Sequence, residues 1–304
     1  MDLQVGLIGQ VFPGQENATF LEPRARAVWN LGNHEFSAAT GVYHQELFGL
    51  SDRRDATNVF TAWRSAPREN LSRAFHGLVG YRFSPSDNVQ ISTELYYKDL
   101  NNLYISEWTA YPRFTSRLQL ADGRAYGADI RIEYNSRLLY AYVNYGYSNV
   151  RYQATQETLE LWYGEESLDF RPPHDRRHQI NVLASTTLAG FDLNVRWNLG
   201  SGRPYNRVYG FDGFVLMNGI NDMFTVNDQQ RVIYERPFSG ILPWYHRLDV
   251  SIDRRFDFGG AALTLQGSII NVYDRQNLFA LDIFTQRRTD QLPFLPTFGV
   301  KVEF

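Results

Sequence analysis

The run His174-Asp175-Arg176-Arg177-His178 sets two imidazoles four residues apart, with a carboxylate beside the first. On a helix that spacing puts both rings on one face and suits a divalent metal. Along a strand, residues four apart share a face but lie about 13 Å from each other, too far to chelate one ion. The run leads into a strand-like segment, so it reads as a polar rim. Asp129 with Glu133, and Asp249 with Asp253, have the residue types of acid–base pairs. Arg131, Arg196 and Arg247 occupy the same polar faces, and a charge-compensated wall accounts for all of them. There is no Gly-x-Ser-x-Gly, no His-Glu-x-x-His and no phosphate-binding glycine loop. An enzyme is not expected, and neither is a cofactor or metal.

Binding chemistry is concentrated in segment 201–244, the longest stretch without strand alternation. It carries Arg203, Tyr205, Arg207, Tyr209, Phe211 and Phe214, followed by Phe224 and Tyr234. Exposed rings beside arginine are what recognition surfaces enrich, and long loops are where such residues sit. A loop folded over its own rings is the alternative. Segment 153–176 is acidic, with Glu157, Glu160, Glu165, Glu166 and Asp169, and reads as a solvated external face.

The elements that would hold these loops follow a period of two. Strands are expected at 3–11, 20–31, 34–45, 71–84, 87–100, 124–134, 138–152, 177–188, 190–200, 245–257, 261–273 and 294–304. Val89, Ile91, Thr93, Leu95 and Tyr97 alternate with Gln90, Ser92, Glu94 and Tyr96; Phe191, Leu193, Val195, Trp197 and Leu199 alternate with Asp192, Asn194, Arg196 and Asn198. Successive side chains on a strand point to opposite faces, so each strand has one apolar and one polar side. The connections alternate between tight turns, such as Pro85-Ser86-Asp87-Asn88, Ala189-Gly190 and Phe258-Gly259-Gly260, and long polar loops. A soluble sandwich has no reason for that asymmetry. A transmembrane barrel has one, because its periplasmic turns are short and its external loops long.

Composition narrows the rest. The 304 residues carry a net charge of −3, which removes the basic footprint of a nucleic-acid binder, and no cysteine, which removes disulfides and thiolate metal sites. No apolar run is long enough for a transmembrane helix, and no signal peptide is visible at the N-terminus. The 19 Tyr, 21 Phe and 6 Trp are many for a soluble domain. Tyr81, Phe83, Tyr96, Tyr97, Tyr134, Trp244, Tyr245, Phe256, Phe258, Tyr273 and Phe304 fall near strand ends, where aromatic girdles of outer-membrane barrels lie.

The segments FLEPRARAVW (20–29), SAATGVYHQ (37–45), STELYYKDLNNLY (92–104), GRAYGADIRIEY (123–134), HDRRHQINV (174–182), SGRPYN (201–206), WYHRLDVSIDRRF (244–256), IINVYDRQNLF (269–279) and LPFLPTFGVKVEF (292–304) occur in one order across the chain. In that order they resemble the C-terminal part of the β-barrel of TonB-dependent outer-membrane receptors, most of all the regulatory-like branch of Bacteroidetes-type bacteria. The resemblance implies an all-β antiparallel transmembrane barrel in the outer membrane of a Gram-negative bacterium. It implies active uptake of a scarce nutrient such as a ferric siderophore, cobalamin, a glycan or a peptide. The family barrel has 22 strands and encloses a plug that contacts TonB. Here about 12 strands are found, and no plug or TonB box. Residues 1–304 are therefore expected to be the C-terminal part of one barrel domain, with the plug and N-terminal strands absent. The expected partners are outer-membrane lipid, a small nutrient ligand, and TonB only through the missing plug; nucleic acid is not among them. The other readings are a self-contained 12-strand channel and a soluble carbohydrate-binding β-protein.

Overall fold

The computed structural model describes residues 1–14, 19–51, 56, 57, 59, 61–68, 70–106, 117–155, 166–213, 230–283 and 285–304. Within them the chain is all-β. The strands are β1 (Asp2–Val11), β2 (Thr19–Leu31), β3 (His34–Gln45), β4 (Leu47–Ser51), β5 (Thr61–Ser65), β6 (Ser72–Ser86), β7 (Val89–Ser106), β8 (Leu118–Asn135), β9 (Leu139–Thr155), β10 (Ser167–Phe170) and β11 (His178–Leu188). They continue as β12 (Phe191–Gly200), β13 (Pro204–Tyr205), β14 (Val208–Gly213), β15 (Gln230–Tyr234), β16 (Gly240–Ile241), β17 (Tyr245–Asp257), β18 (Ala262–Ile270), β19 (Leu278–Leu281), β20 (Arg288–Asp290) and β21 (Leu295–Glu303).

One antiparallel sheet holds all twelve strands expected from the alternation, in the order β1-β2-β3-β6-β7-β8-β9-β11-β12-β17-β18-β21, with β10 added along β9. Each long strand pairs with its next long neighbour, so the sheet is a meander. The remaining short strands form four separate two-stranded ladders in the long loops. β1 and β21 lie at the two margins, and each is paired on one side.

Two strands run further than the alternation suggests. β7 and β8 each contain 18 residues and stay paired beyond Leu100. The strand expected to end at residue 100 instead continues past a bulge, between the pairs Leu100↔Gly123 and Leu103↔Ala121. Asn102 has φ of 55°, its N–H donates to Asp122 Oδ1 at 3.2 Å, and its carbonyl accepts from Ser72 Oγ at 2.8 Å. An asparagine tolerates that left-handed backbone better than most residues, so the ladder absorbs one extra residue and continues. At the opposite end, Ala189 and Gly190 both have positive φ, as a two-residue type I′ hairpin requires.

Register pairing keeps like faces together. On one side Ala184, Val195, Val250 and Ile269 form a row across four strands. On the other, Ser185, Asn194, Ser251, Ser268 and Thr297 form the next row. In that row Ser185 Oγ donates to Asn194 Oδ1 at 2.7 Å, and Asn194 Nδ2 donates to Ser251 Oγ at 3.3 Å. The charges of the polar face are paired at short range: Arg131 with Glu133 at 2.7 Å and Arg247 with Asp249 at 2.9 Å. Tyr97 lies on the apolar face, whereas Tyr96 lies on the polar face over Gly127, where any Cβ would collide with the ring.

The apolar face is bare. Leu95, Ile132, Val143, Ile252, Val300 and Phe298 are all exposed, Phe298 to 75 %. In water this band would be an apolar patch far larger than soluble monomers carry. The buried hydrophobic cluster lies instead at the long-loop end, around Ala121, Ala154, Leu168 and Phe170. Rings mark both ends of the bare band. Trp29, Phe36 and Tyr81 pack in series near the tight turns, and His178 stacks parallel to Trp244 near the long loops.

The face assignment makes a direct prediction. Val195 is 38 % exposed, so in water an arginine there would be nearly neutral. In a bilayer Val195→Arg should cost about 2–4 kcal/mol, as arginine does near the midplane of a barrel wall, while Val195→Leu should cost little. Denaturant titration of the chain reconstituted in lipid measures the difference.

Candidate functional site

The long loops meet at one end of the sheet and enclose a cavity. The extended ends of β7 and β9 contribute to its lining. β10 folds back along β9, pairing Phe170 with Tyr152 and Leu168 with Ala154. Leu168 and Phe170 are thereby buried against Ala121 and Ala154, with Leu103, Ile105 and Phe238 around them. Gly123 permits the close approach: a Cβ there would lie 2.7 Å from the Tyr152 ring.

The segment 171–177 is held by Asp175, which is fully buried. Its Oδ2 accepts from Arg171 Nε at 2.7 Å and from Arg177 Nε at 3.1 Å, and its Oδ1 accepts the Val150 N–H at 3.2 Å. A buried carboxylate with two guanidinium partners and a backbone donor meets the condition under which a charge is tolerated away from water. This geometry separates the two histidines. β11 begins only at His178, which shares the outer face with Ile180 and places its Nδ1 3.0 Å from Tyr145 Oη. His174 precedes the strand and points into the cavity, its Nε2 3.3 Å from Tyr152 Oη. The cavity walls crowd the His174 ring and lower its pKa; Asp175 opposes that shift and the Arg203 charge adds to it.

The cavity measures about 410 Å³, within the range of small-molecule sites. Phe48 and Trp63 enter from the β4–β5 hairpin, Tyr104 from β7, Tyr152 from β9, Phe170 from β10, and Phe238 from the loop before β16. Phe48 and Tyr104 stack at 5.0 Å, and Phe170 and Phe238 at 5.4 Å. A second hollow of about 540 Å³ lies among the tight turns at the other end, and its lining is polar, including Asn33, Glu35, Arg82 and Asn88. Phe, Tyr and Trp side chains line the hollow under the long loops, whereas none is among the described residues lining the second.

Among the described residues of segment 201–244 Phe238 lines this cavity, whereas those singled out in the sequence do not and lie elsewhere in the loop layer. Arg203 donates from its guanidinium to the Thr57 carbonyl at 2.8 Å. Beside it the Ala56 N–H donates to the Leu281 carbonyl at 2.9 Å. Ala56 and Thr57 are buried, so the loop after β3 is tied to those after β12 and β18. Five strands separate β6 from β17 in the sheet, so these loops meet only because the sheet curves round. Tyr205 pairs with Gly240 in the β13–β16 ladder, and its ring fills the space a Cβ would need. Arg207 makes an exposed ion pair with Glu235 at 3.3 Å, worth at most about 1 kcal/mol. Tyr209 is 82 % exposed. Phe211 is in β14 opposite Val232. Phe214 and Phe224 lie outside the described residues, as do Glu157, Glu160 and Glu165; Asp169 pairs with Arg151 at 3.3 Å.

The cavity rings come from segments spread between residues 48 and 238, so no sequence window contains the site. Tyr152 stands at the end of an expected strand, 138–152, whereas Tyr104 lies beyond the expected end of its strand and joins it only in the structure. Phe238 lies within segment 201–244, close to Gly240 and the ladder that holds it.

No protein-family model matches the chain, and no curated protein matches it in sequence. Solved structures do match its fold. The chain is similar to the ferric-catecholate import receptor Fiu of E. coli K12, at 13% identity and a TM-score of 0.57, over 94% of this chain and 35% of that one. It is similar to the outer-membrane ferripyoverdine receptor of Pseudomonas aeruginosa, at 12% identity and a TM-score of 0.61, over 98% and 36%. It is also similar to the ferric enterobactin receptor PfeA of Pseudomonas aeruginosa, at 12% identity and a TM-score of 0.59, over 99% and 42%. The fold is thus that of the barrels of TonB-dependent outer-membrane receptors. The chain spans 35–42% of the length of these receptors.

Two outcomes test the loop layer. Asp175→Asn leaves two arginines facing a neutral partner and should cost about 3 kcal/mol, read as faster proteolysis within 171–177. His174 stays neutral to lower pH in the folded loop than its ordinary 6.5. An unfolded loop binds that proton first, so the contribution is complete above about pH 6.5 and is lost as pH falls below it. Proteolysis of this loop should accelerate between pH 7 and 5, and His174→Gln should flatten the dependence.

Proposed function

We propose that this chain is the C-terminal portion of the barrel of a TonB-dependent outer-membrane receptor, working in active uptake of a scarce nutrient in a Gram-negative bacterium. The observation that carries the reading is the continuous bare apolar face, bounded by rings, on a sheet whose other face is polar and charge-paired. The loops that converge over an aromatic cavity give the same sheet a binding mouth at one end. In this reading the tight turns face the periplasm and the long loops face outward, where the ligand arrives. The side chains bind and admit the ligand; the carboxylates of the polar face are structural.

The margins of the sheet bear on how the barrel is completed. A sheet edge in hydrocarbon leaves backbone groups without partners, at several kcal/mol each, so only closed barrels span. In this proposal β1 and β21 pair with strands outside residues 1–304, and the plug that contacts TonB also lies outside them. The matched receptors are named for ferric catecholate, ferripyoverdine and ferric enterobactin. An iron chelate is therefore one candidate cargo among the nutrients such barrels carry.

The absence of cysteine makes a clean labelling test possible. Tyr209→Cys, on a long loop, should react with a membrane-impermeant maleimide on intact producing cells. Leu138→Cys, in a tight turn, should react only after the outer membrane is permeabilised. Recovery of the chain in the soluble fraction without detergent would overturn the reading, and so would equal labelling of both positions in intact cells.

A further inference from the structure

The mouth cavity is built for a ligand of narrow chemistry. Among the described residues that line it none is Lys, Arg, Asp or Glu. Its polar side chains are mostly committed to the protein. Gln45 Nε2 donates to the Leu47 carbonyl at 2.6 Å, Ser72 Oγ to the Asn102 carbonyl at 2.8 Å, and Tyr104 Oη to the Asn70 carbonyl at 2.6 Å. Tyr152 Oη and His174 Nε2 face one another. The nearest charges are engaged as well: Asp175 between two arginines, and Arg203 on the Thr57 carbonyl.

Ring surface is what the cavity offers a guest. The Phe48–Tyr104 stack forms one wall, and Tyr152, Phe170 and Phe238 form another. Trp63, largely exposed, stands at the edge. An anion entering this space would shed its hydration and meet no cationic side chain among the described lining residues, with Arg203 the nearest cation and already held by the Thr57 carbonyl, a cost that ring contacts do not offset. A sugar would bring hydroxyls to walls whose donors and acceptors are mostly occupied. A flat apolar ring loses only apolar surface to the cavity and gains stacking contacts.

We propose that the mouth cavity binds an uncharged, flat ring system carrying few hydrogen-bonding groups, and that it discriminates against anionic analogues of the same shape. This deepens the receptor reading by naming the class of ligand group that enters. It separates the cavity from any site that would hold a ferric chelate by charge.

The probes are 2-naphthol and naphthalene-2-sulfonate, which share a ring system and differ in charge. Equilibrium dialysis against outer membranes of producing cells is read, for each probe, as the excess over membranes from cells lacking the chain, so partition into lipid cancels. The wild type should bind 2-naphthol at least about tenfold more tightly than the sulfonate. Phe48→Ala, which removes one wall, and Ser51→Trp, which fills the space, should each weaken 2-naphthol about tenfold. Because each could disturb the β4–β5 hairpin, His174→Lys supplies the independent readout: a cation placed in the cavity should raise sulfonate binding. Equal or tighter binding of the sulfonate by the wild type would overturn the proposal, as would 2-naphthol binding that neither variant reduces. The cysteine-labelling result is separate from these measurements, so failure of the ligand class and failure of the receptor reading are told apart.

Discussion

Lateral backbone pairing is the constraint from which the rest of this structure follows. Once a strand is hydrogen-bonded on both sides, its side chains have only two directions to take, and register decides which neighbours share them. Ala184, Val195, Val250 and Ile269 fall into one row, and Ser185, Asn194, Ser251 and Ser268 into the next. A slip of one residue in any of these pairs would put Arg196 and Asp249 into the apolar band. The tight turns oppose that slip, with Ala189-Gly190 held in a geometry that permits only a two-residue hairpin.

The same constraint explains why the buried core is at the end of the sheet. A barrel wall has surroundings on its apolar side, so large side chains there need not be covered by protein. The chain packs hydrophobic residues where strands stop and loops must hold one another. Leu168, Phe170 and Ala154 are buried there, Asp175 gathers two arginines and the Val150 N–H, and Arg203 ties two loops across the mouth. Many rings that would fill a soluble core lie instead in bands on the outer face or line one cavity.

The strands were legible because alternation is local. Each of the twelve could be found from its own residues, and the turns between them from glycine, asparagine and proline chemistry. Where the reading stopped short, the reason was not local: the strand expected to end at residue 100 continues because Asp122 and Ser72 from neighbouring strands hold Asn102 in a bulge. The His174–His178 run shows the opposite limit. Their spacing implied a shared strand face, whereas Asp175 folds the run back so that the two rings find different tyrosines on different faces.

By itself the sequence determined the fold class, the two faces, the division into tight turns and long loops, and the loop-borne arginines and rings worth inspecting. All of these depend on residues that are near one another along the chain. The tertiary structure decided which rings face one another. Phe48, Tyr104, Tyr152, Phe170 and Phe238 share a cavity because the sheet curves and brings the loops of distant strands together. Curvature is the sum of small twists over many paired strands, and no single segment encodes it. The same sum gave Arg203 its role as a tie between loops, because the Thr57 carbonyl it reaches lies 146 positions away.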